Sequence, residues 1–376
     1  MDHQSEINRI EQTYRELTAS GKKILKLYSG NPTEFGIHFP AEILVEAYAE
    51  ALRNKNYAPH PKGLLSARQA IADYYEKQDC TVDPANIIIT SGTSESFFSL
   101  FSLLAKPGDH FLAPCPSYPL FEHIAKLAHV ELKPYLLRPH ERWEIDIENL
   151  KAQTNDKTRG IILISPHNPT GHVASVAQLE QIVTWANSRN LPIICDEVFS
   201  EFYFGQGNYP RVAAVTKPSL CFTLNGISKM FALPMLKLGW IAVTGKTNLV
   251  ESAVDGLETI ADTFLSCHQP IQHILPILFE KGRSFVDDYR RRVCEQCQAA
   301  VNILTAHPRF SLIAPEGGFY LMAFLHGVSN EEDFVIDLMK DKGVFVHPGY
   351  FYDYEDRPAV VMSYLADGAT LALLCR

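Results

Sequence analysis

Apolar positions along the chain fall into two kinds of run. Short, largely apolar stretches occupy residues 87–90, 110–113, 130–133, 160–164, 192–195, 220–224 and 240–243. Stretches with apolar residues at helical spacing lie between many of them, at 94–105, 118–127 and 175–189. Strand-length runs apolar on both faces and joined by helices predict an α/β fold: a mostly parallel, seven-stranded sheet covered by helices. Upstream, the spacing predicts a polar helix within 1–26, a short extended piece entering the Asn31-Pro32 turn, and amphipathic helices over 41–53 and 64–78. A turn-rich connector, Tyr57 to Gly63, joins the last two.

After about residue 247 the character changes. Helices are expected over 247–258 and over 266–306, the second long and bent. Strands at 310–313, 318–325 and 343–346, with a helix at 332–340, then predict a smaller α+β unit. The division expected is a large domain over 41–265 and a small one made of 1–40 with 266–376. No Ser/Gly linker, low-complexity segment or internal repeat interrupts the chain.

Composition narrows the function classes. The net charge is −9 over 376 residues, without a lysine/arginine block, which argues against a nucleic-acid partner. Eight cysteines at irregular spacing suit a reducing compartment, and Cys294 and Cys297, the one C-x-x-C pair, have no histidine cluster to complete a metal site. No metal is expected. The N-terminal residues lack a signal-peptide pattern and no apolar run reaches membrane-spanning length, so a soluble, cytoplasmic protein is expected.

Polar punctuation falls where the predicted strands end, which is where α/β sheets bind ligands. It comprises Ser91-Gly92-Thr93-Ser94, Pro114-Cys115-Pro116-Ser117-Tyr118, Ser165 to Gly171, and Asp196-Glu197. Lys229 follows the same kind of strand end, the run 220–224 closed by Asn225-Gly226, and is expected in a loop beside Phe231, Ala232, Leu233 and Pro234. Apolar surroundings disfavour an ammonium ion, so such a lysine offers a free amine near neutral pH, the group that bonds a carbonyl cofactor. On its own this stretch also describes a surface lysine after a strand. Gly92-Thr93-Ser94 alone reads as a helix N-terminus with free N–H groups, and Asn168-Pro169-Thr170-Gly171 alone as a turn.

Together and in this order, from about Tyr28 to Met362, these motifs resemble the class I/II aminotransferases of the fold type I pyridoxal-phosphate enzymes. The resemblance implies pyridoxal 5'-phosphate as cofactor and gives roles to single residues. Lys229, after Ser228, matches the Schiff-base lysine that also shuttles a proton, and Asp196 the partner of the pyridine nitrogen. Gly92, Thr93 and Ser94 match the phosphate turn, Tyr118 the aromatic stacked on the ring, and Asn168 the side chain on the phenolic oxygen. Lys237 stands where the family usually has a phosphate-binding arginine; it keeps the charge and loses the two-pronged geometry. The glycine that usually precedes it is Met235. Tyr57 matches a tyrosine that reaches the phosphate of a neighbouring subunit, which implies a homodimer.

Two further departures bear on chemistry. Phe199 replaces a tyrosine that donates to the phenolic oxygen, so the Schiff-base proton should be held more tightly. The family grips the substrate carboxylate with an arginine two residues before a serine on a late strand. Here Ala359-Val360-Val361-Met362-Ser363 puts Val361 at that position, and Arg357 lies four residues earlier. The carboxylate must therefore be held by Asn168, by backbone near Gly36-Ile37 or by another side chain, or else the substrate lacks it. The resemblance implies transfer of an amino group from an amino acid or related amine to a 2-oxo acid. A carbon–sulfur β-lyase or decarboxylase of the same fold, or a catalytically degenerate cofactor-binding module, are the alternatives.

Overall fold

The computed structural model describes residues 8–53 and 56–375. The first seven positions of the expected N-terminal helix therefore lie outside the described residues; within them the helix runs Arg9–Ala19, capped by the Asn8 side chain accepting from the Glu11 N–H.

All seven expected strands form. They are β1 (Ile87–Thr90), β2 (His110–Cys115), β3 (Glu131–Arg138), β5 (Thr158–Ile164), β6 (Ile193–Asp196), β7 (Leu220–Gly226) and β8 (Gly239–Gly245), with a two-residue β4 (Glu144–Ile145) added between β3 and β5. The sheet is therefore eight-stranded, ordered β1-β8-β7-β6-β5-β2-β3-β4. Its centre, β7-β6-β5-β2-β3, is parallel, while β8 runs antiparallel between β1 and β7, and β4 closes a hairpin on β3. β4 escapes the sequence pattern because two residues show no period.

Apolar residues of the central strands face helices on both sides. Ile88, Ile162, Ile194, Phe222 and Ile241 join Phe97, Phe101 and Leu257 in one buried cluster, from the helices Thr93–Leu104 and Thr247–Phe264. Burying a Phe or Ile of this kind contributes roughly 1.5–3 kcal/mol.

The expected long helix over 266–306 is instead two helices, Gln269–Lys281 and Arg283–Thr305, separated at Gly282. A Cβ at Gly282 would stand 2.4 Å from the Leu278 carbonyl and 3.0 Å from the rings of Phe39 and Phe231. Only glycine permits that approach, so the break is a packing requirement that apolar periodicity does not register.

The second sheet is antiparallel, with β9 (Phe310–Leu312), β10 (Tyr320–Leu325), β11 (His347–Pro348) and β12 (Ala359–Ser363) in the order β9-β10-β12-β11. The segment Leu25–Lys26 pairs in parallel with Val344–Phe345, and the Ser363 N–H donates to the Leu27 carbonyl at 2.6 Å. The chain before the large sheet is thereby tied to the small one, and residues 28–37 are carried across the end of the large sheet. Among the described residues, no helix is long and apolar enough to cross a membrane, and no cluster of His, Cys, Asp and Glu could hold a metal ion.

Candidate active site

Strand order makes the site. β1 and β7 end, and β8 begins, at one level of the sheet: Thr90 and Gly226 are both register partners of Gly239. The chain is glycine there because the backbones touch. A Cβ on Gly239 would lie 2.9 Å from the Cα of Gly92, and one on Gly226 would lie 2.8 Å from the Leu238 carbonyl. Gly92 itself has φ 146°, a conformation L side chains rarely adopt. It starts the helix Thr93–Leu104 without any side-chain cap, so the first N–H groups of that helix are available to an anion.

β7 extends through Asn225 and Gly226, with Gly226 fully extended at φ 179°, and does not stop at a turn there. Lys229 consequently sits in a single helical turn, Ile227–Met230, rather than in the expected loop. Its Nζ donates to the Gly30 carbonyl at 2.7 Å. Burial pushes this amine down to about 8, with the negative charge of Asp196 opposing. Asp196 ends β6 and accepts from the Val198 N–H at 3.2 Å. Burial pushes its carboxyl up to about 7, against that N–H and the Lys229 charge. Immediately behind it, the fully buried Arg211 Nε lies 2.9 Å from Glu197 Oε2, a charge pair that anchors the strand end from the far side.

Gly92, Thr93, Ser94, Tyr118, Asn168, Asp196, Ser228 and Lys229 all line one cavity of about 190 Å³. Asn168 is buried, and its Oδ1 has no hydrogen-bond partner among the described residues. Tyr118 packs edge-on against Phe121, and its phenol is pushed up by burial and then by Asp196. Lys237 does not line the cavity but stands at its rim: a Cβ on Gly92 would be 3.6 Å from Lys237 Nζ. Tyr57 is not brought to the cavity within one chain, and is 68% exposed.

Two residues of the site were not singled out from sequence. Tyr320 on β10 lines the cavity, and its hydroxyl lies so close to Gly30 that a side chain there would clash. Gly30 in turn supplies the carbonyl that Lys229 binds. The Gly30-Asn31-Pro32 turn was the only signal available, and it does not say which side chain the turn faces. Arg357 is placed outside: its guanidinium lies 3.5 Å over the Phe324 ring. A larger cleft, about 640 Å³, shares no lining residue with this cavity. Its buried carboxylate, Glu201, already accepts from Tyr74 and Gln78 and pairs with Arg283.

The donor set fits a phosphorylated pyridine aldehyde. An uncapped helix start with a lysine at the rim beside it, a buried amide, a buried carboxyl and a desolvated amine are brought to one cavity.

The sequence profile of aminotransferase class I and II matches residues 22–364. The glutamate-pyruvate aminotransferase AlaA of Haemophilus influenzae is 30% identical over 346 residues, 90% of this chain and 85% of that protein. The alanine aminotransferase of Mycobacterium tuberculosis is 28% identical over 92% of this chain and 82% of its own length. Among solved structures, an aminotransferase from Escherichia coli has a TM-score of 0.90 at 27% identity, covering 98% of this chain and 93% of that one. The alanine aminotransferase from Pyrococcus furiosus has a TM-score of 0.91 at 24% identity, covering 98% and 94%, a likeness of fold.

Proposed function

The chain belongs to the aminotransferase class I and II family, and we propose that the cavity around Lys229 is where it moves an amino group from an amino acid or related amine to a 2-oxo acid, with pyridoxal 5'-phosphate bound. The observation that carries this assignment of the site is the convergence of Lys229, Asp196 and Asn168 on one cavity with the uncapped helix start at Gly92.

When bound, pyridoxal phosphate supplies a carbonyl that bonds an amine and a ring that accepts the electron pair left on carbon when a proton departs. The residues divide the remaining work. The N–H groups of Thr93 and Ser94, the Ser228 hydroxyl and the Lys237 ammonium hold the phosphate at the positive end of the helix dipole. Asp196, once ionised, keeps a proton on the ring nitrogen, and Asn168 donates its Nδ2–H to the phenolic oxygen. Tyr118 lies against the ring. Lys229 Nζ, whose affinity for a proton burial has brought close to neutrality, takes a proton from substrate carbon and returns it; its hold on the Gly30 carbonyl fixes where the amine waits. Tyr57, exposed in the single chain, reaches the phosphate of a neighbouring copy in a homodimer.

The test is chemical trapping. Holoprotein reduced with borohydride should carry the cofactor's mass on the peptide containing Lys229, and Lys229→Ala should lose both that label and the visible absorption band while keeping its fold. A label on another lysine, or none, would overturn the assignment.

A further inference from the structure

The phosphate end of the cavity is held from behind by a helix whose first turn does not line it. The helix Gln269–Lys281 begins beside the rim, and none of residues 269–272 belongs to the cavity wall. Gln272 is 1% exposed and spends its amide on main-chain groups. Its Oε1 accepts from the Leu64 N–H at 2.7 Å, and its Nε2 donates to the Cys267 carbonyl at 2.5 Å. One turn earlier, the Gln269 Nε2 donates to the Asn56 carbonyl at 3.3 Å.

These partners fall at related places. Asn56 and Leu64 bracket the connector Tyr57 to Gly63, which is neither helix nor strand. The far end of the connector is fixed twice more: the Ile89 N–H of β1 donates to the Lys62 carbonyl at 3.0 Å, and the Arg68 Nε donates to the Gly63 carbonyl at 3.1 Å. The near end, where Tyr57 stands exposed, is held by Gln269. Residues three apart share one side of a helix, so a single turn clasps the connector at both ends.

The remaining partner leads to Lys237. The Cys267 Sγ donates to the Lys237 carbonyl at 3.7 Å. Burial, and then the charge of Glu95, pushes this thiol up to about 11, so the sulfur keeps its hydrogen. Lys237 has φ 48°, a left-handed conformation uncommon outside glycine, and the aim of its side chain depends on how that backbone is held. The side chain stands over the phosphate turn, with Nζ 3.6 Å from where a Cβ on Gly92 would be. Glutamine suits the post behind these segments. A carboxylate could accept from Leu64 but not donate to Cys267, an ammonium could do only the reverse, and either charge would be costly at such burial.

We propose that Gln272 positions the two long side chains that hold the phosphate: through Cys267 it aims Lys237 at the phosphate of its own chain, and with Gln269 it fixes the connector that carries Tyr57 to the phosphate of a neighbouring copy. The two sites of a homodimer then lean on one clasp in each chain. The inference rests on the places proposed above for the phosphate and for Tyr57, and adds the groups that set them.

The experiment measures the affinity of apoprotein for pyridoxal 5'-phosphate and for pyridoxal, by fluorescence titration. The ratio of the two isolates the hold on the phosphate, whereas a general loosening of the fold weakens both. Gln272→Leu, which removes both hydrogen bonds at similar size, should lower the preference for the phosphorylated form about three- to tenfold, the size of one neutral hydrogen bond. Affinity for pyridoxal should stay nearly unchanged. Gln269→Ala and Cys267→Ala should divide that loss, the first having no effect in a Tyr57→Phe background and the second none in a Lys237→Ala background. In protein carrying both Tyr57→Phe and Lys237→Ala, Gln272→Leu should leave the ratio where it is. Equal loss of both affinities, an unchanged ratio, or a loss that persists in the doubly substituted background overturns the inference. Should Gln272→Leu not fold, the two milder variants decide it by the same ratio. Wild-type protein that binds both forms equally, or that carries no borohydride label on Lys229, defeats the site assignment instead.

Discussion

The two ends of the cavity are built on opposite principles. At the phosphate and ring end the helix start is uncapped and, among the described residues, the Asn168 Oδ1 has no partner, while burial shifts a carboxyl and an amine toward each other. Elsewhere the lining is aromatic, with Phe199 packed on Phe319 and facing Tyr320, and neither Arg292 nor Arg357 lines the cavity. Unpaired buried polar groups are costly, so a fold keeps them where a ligand completes them. A cavity that concentrates them at one end specifies its cofactor closely and leaves its substrate to the shape of the aromatic lining.

The sharpest way to break that contrast is to remove the charge at the cofactor end without changing its shape. Asp196→Asn should lower kcat for amino transfer by about 10²–10³-fold, the loss typical of one preorganised electrostatic partner, with a much smaller change in KM for the amino donor. A comparable loss in both parameters would mean that Asp196 also organises the substrate end.

Lys237 tests the rim. Hydrogen bonds to charged groups contribute roughly 1.5–3 kcal/mol, so Lys237→Ala should weaken cofactor affinity about 10–100-fold, measured by fluorescence titration of apoprotein. Lys237→Arg should bind at least as tightly as wild type, because its fork matches phosphate oxygens in pairs. Neither change should alter the preference among amino donors.

The same buried groups set the stability of the apoprotein against pH. The Asp196 carboxyl is raised from 3.8 to about 7 in the folded chain, so between those values the folded state holds a proton that the unfolded state has released. Its contribution to stability therefore falls as pH rises through that window, by about 4 kcal/mol at most for a shift of roughly three units. Lys229 is lowered from 10.5 to about 8, so its burial is unfavourable below 8 and the loss is recovered as pH rises from 8 toward 10.5. Asp196→Asn should thus raise the apoprotein Tm at pH 8 and leave it nearly unchanged at pH 4. An equal rise at both values would show that the gain has nothing to do with ionisation.

Much of this was readable from the chain because the central strands are buried on both faces, so their apolar runs are unbroken and the polar loops between them stand out. Asp196, Asn168 and Lys229 stood out for that reason: Asp196 follows directly on such a run, and Asn168 and Lys229 lie four and five residues past the ends of theirs. What escaped was set by contacts distant in sequence. Tyr320 meets Gly30, and Gly30 meets Lys229, across hundreds of residues. The helix break at Gly282 answers to Phe39 and Phe231 and leaves the surrounding periodicity intact. Asn225-Gly226, a turn by composition, is strand because it pairs with Trp240 and Gly239 of β8, and it is glycine because a Cβ on Gly226 would lie 2.8 Å from the Leu238 carbonyl. Tyr57 stood in a turn-rich connector, and the role that the resemblance gives it needs a second copy of the chain.

Phe199 lies where the two ends meet, and the smallest change tests the boundary between them. Its ring lines the cavity with Asn168 and packs on Phe319 and Tyr320, so Phe199→Tyr adds one hydroxyl to an existing shape. If that hydroxyl points to the ring end, it donates to the cofactor's phenolic oxygen and competes with the proton held there. The pH at which the visible band of the loaded protein changes should then fall by roughly one unit, since a single hydrogen bond to the charged form is worth about that much. The thermal midpoint should move little, because the packing is retained. If the hydroxyl instead turns toward Tyr320, the band's pH dependence stays where it was, and the affinity for amino alcohols rises while that for plain amines does not. Either outcome locates the line at which the cavity stops reading its cofactor and begins reading its substrate.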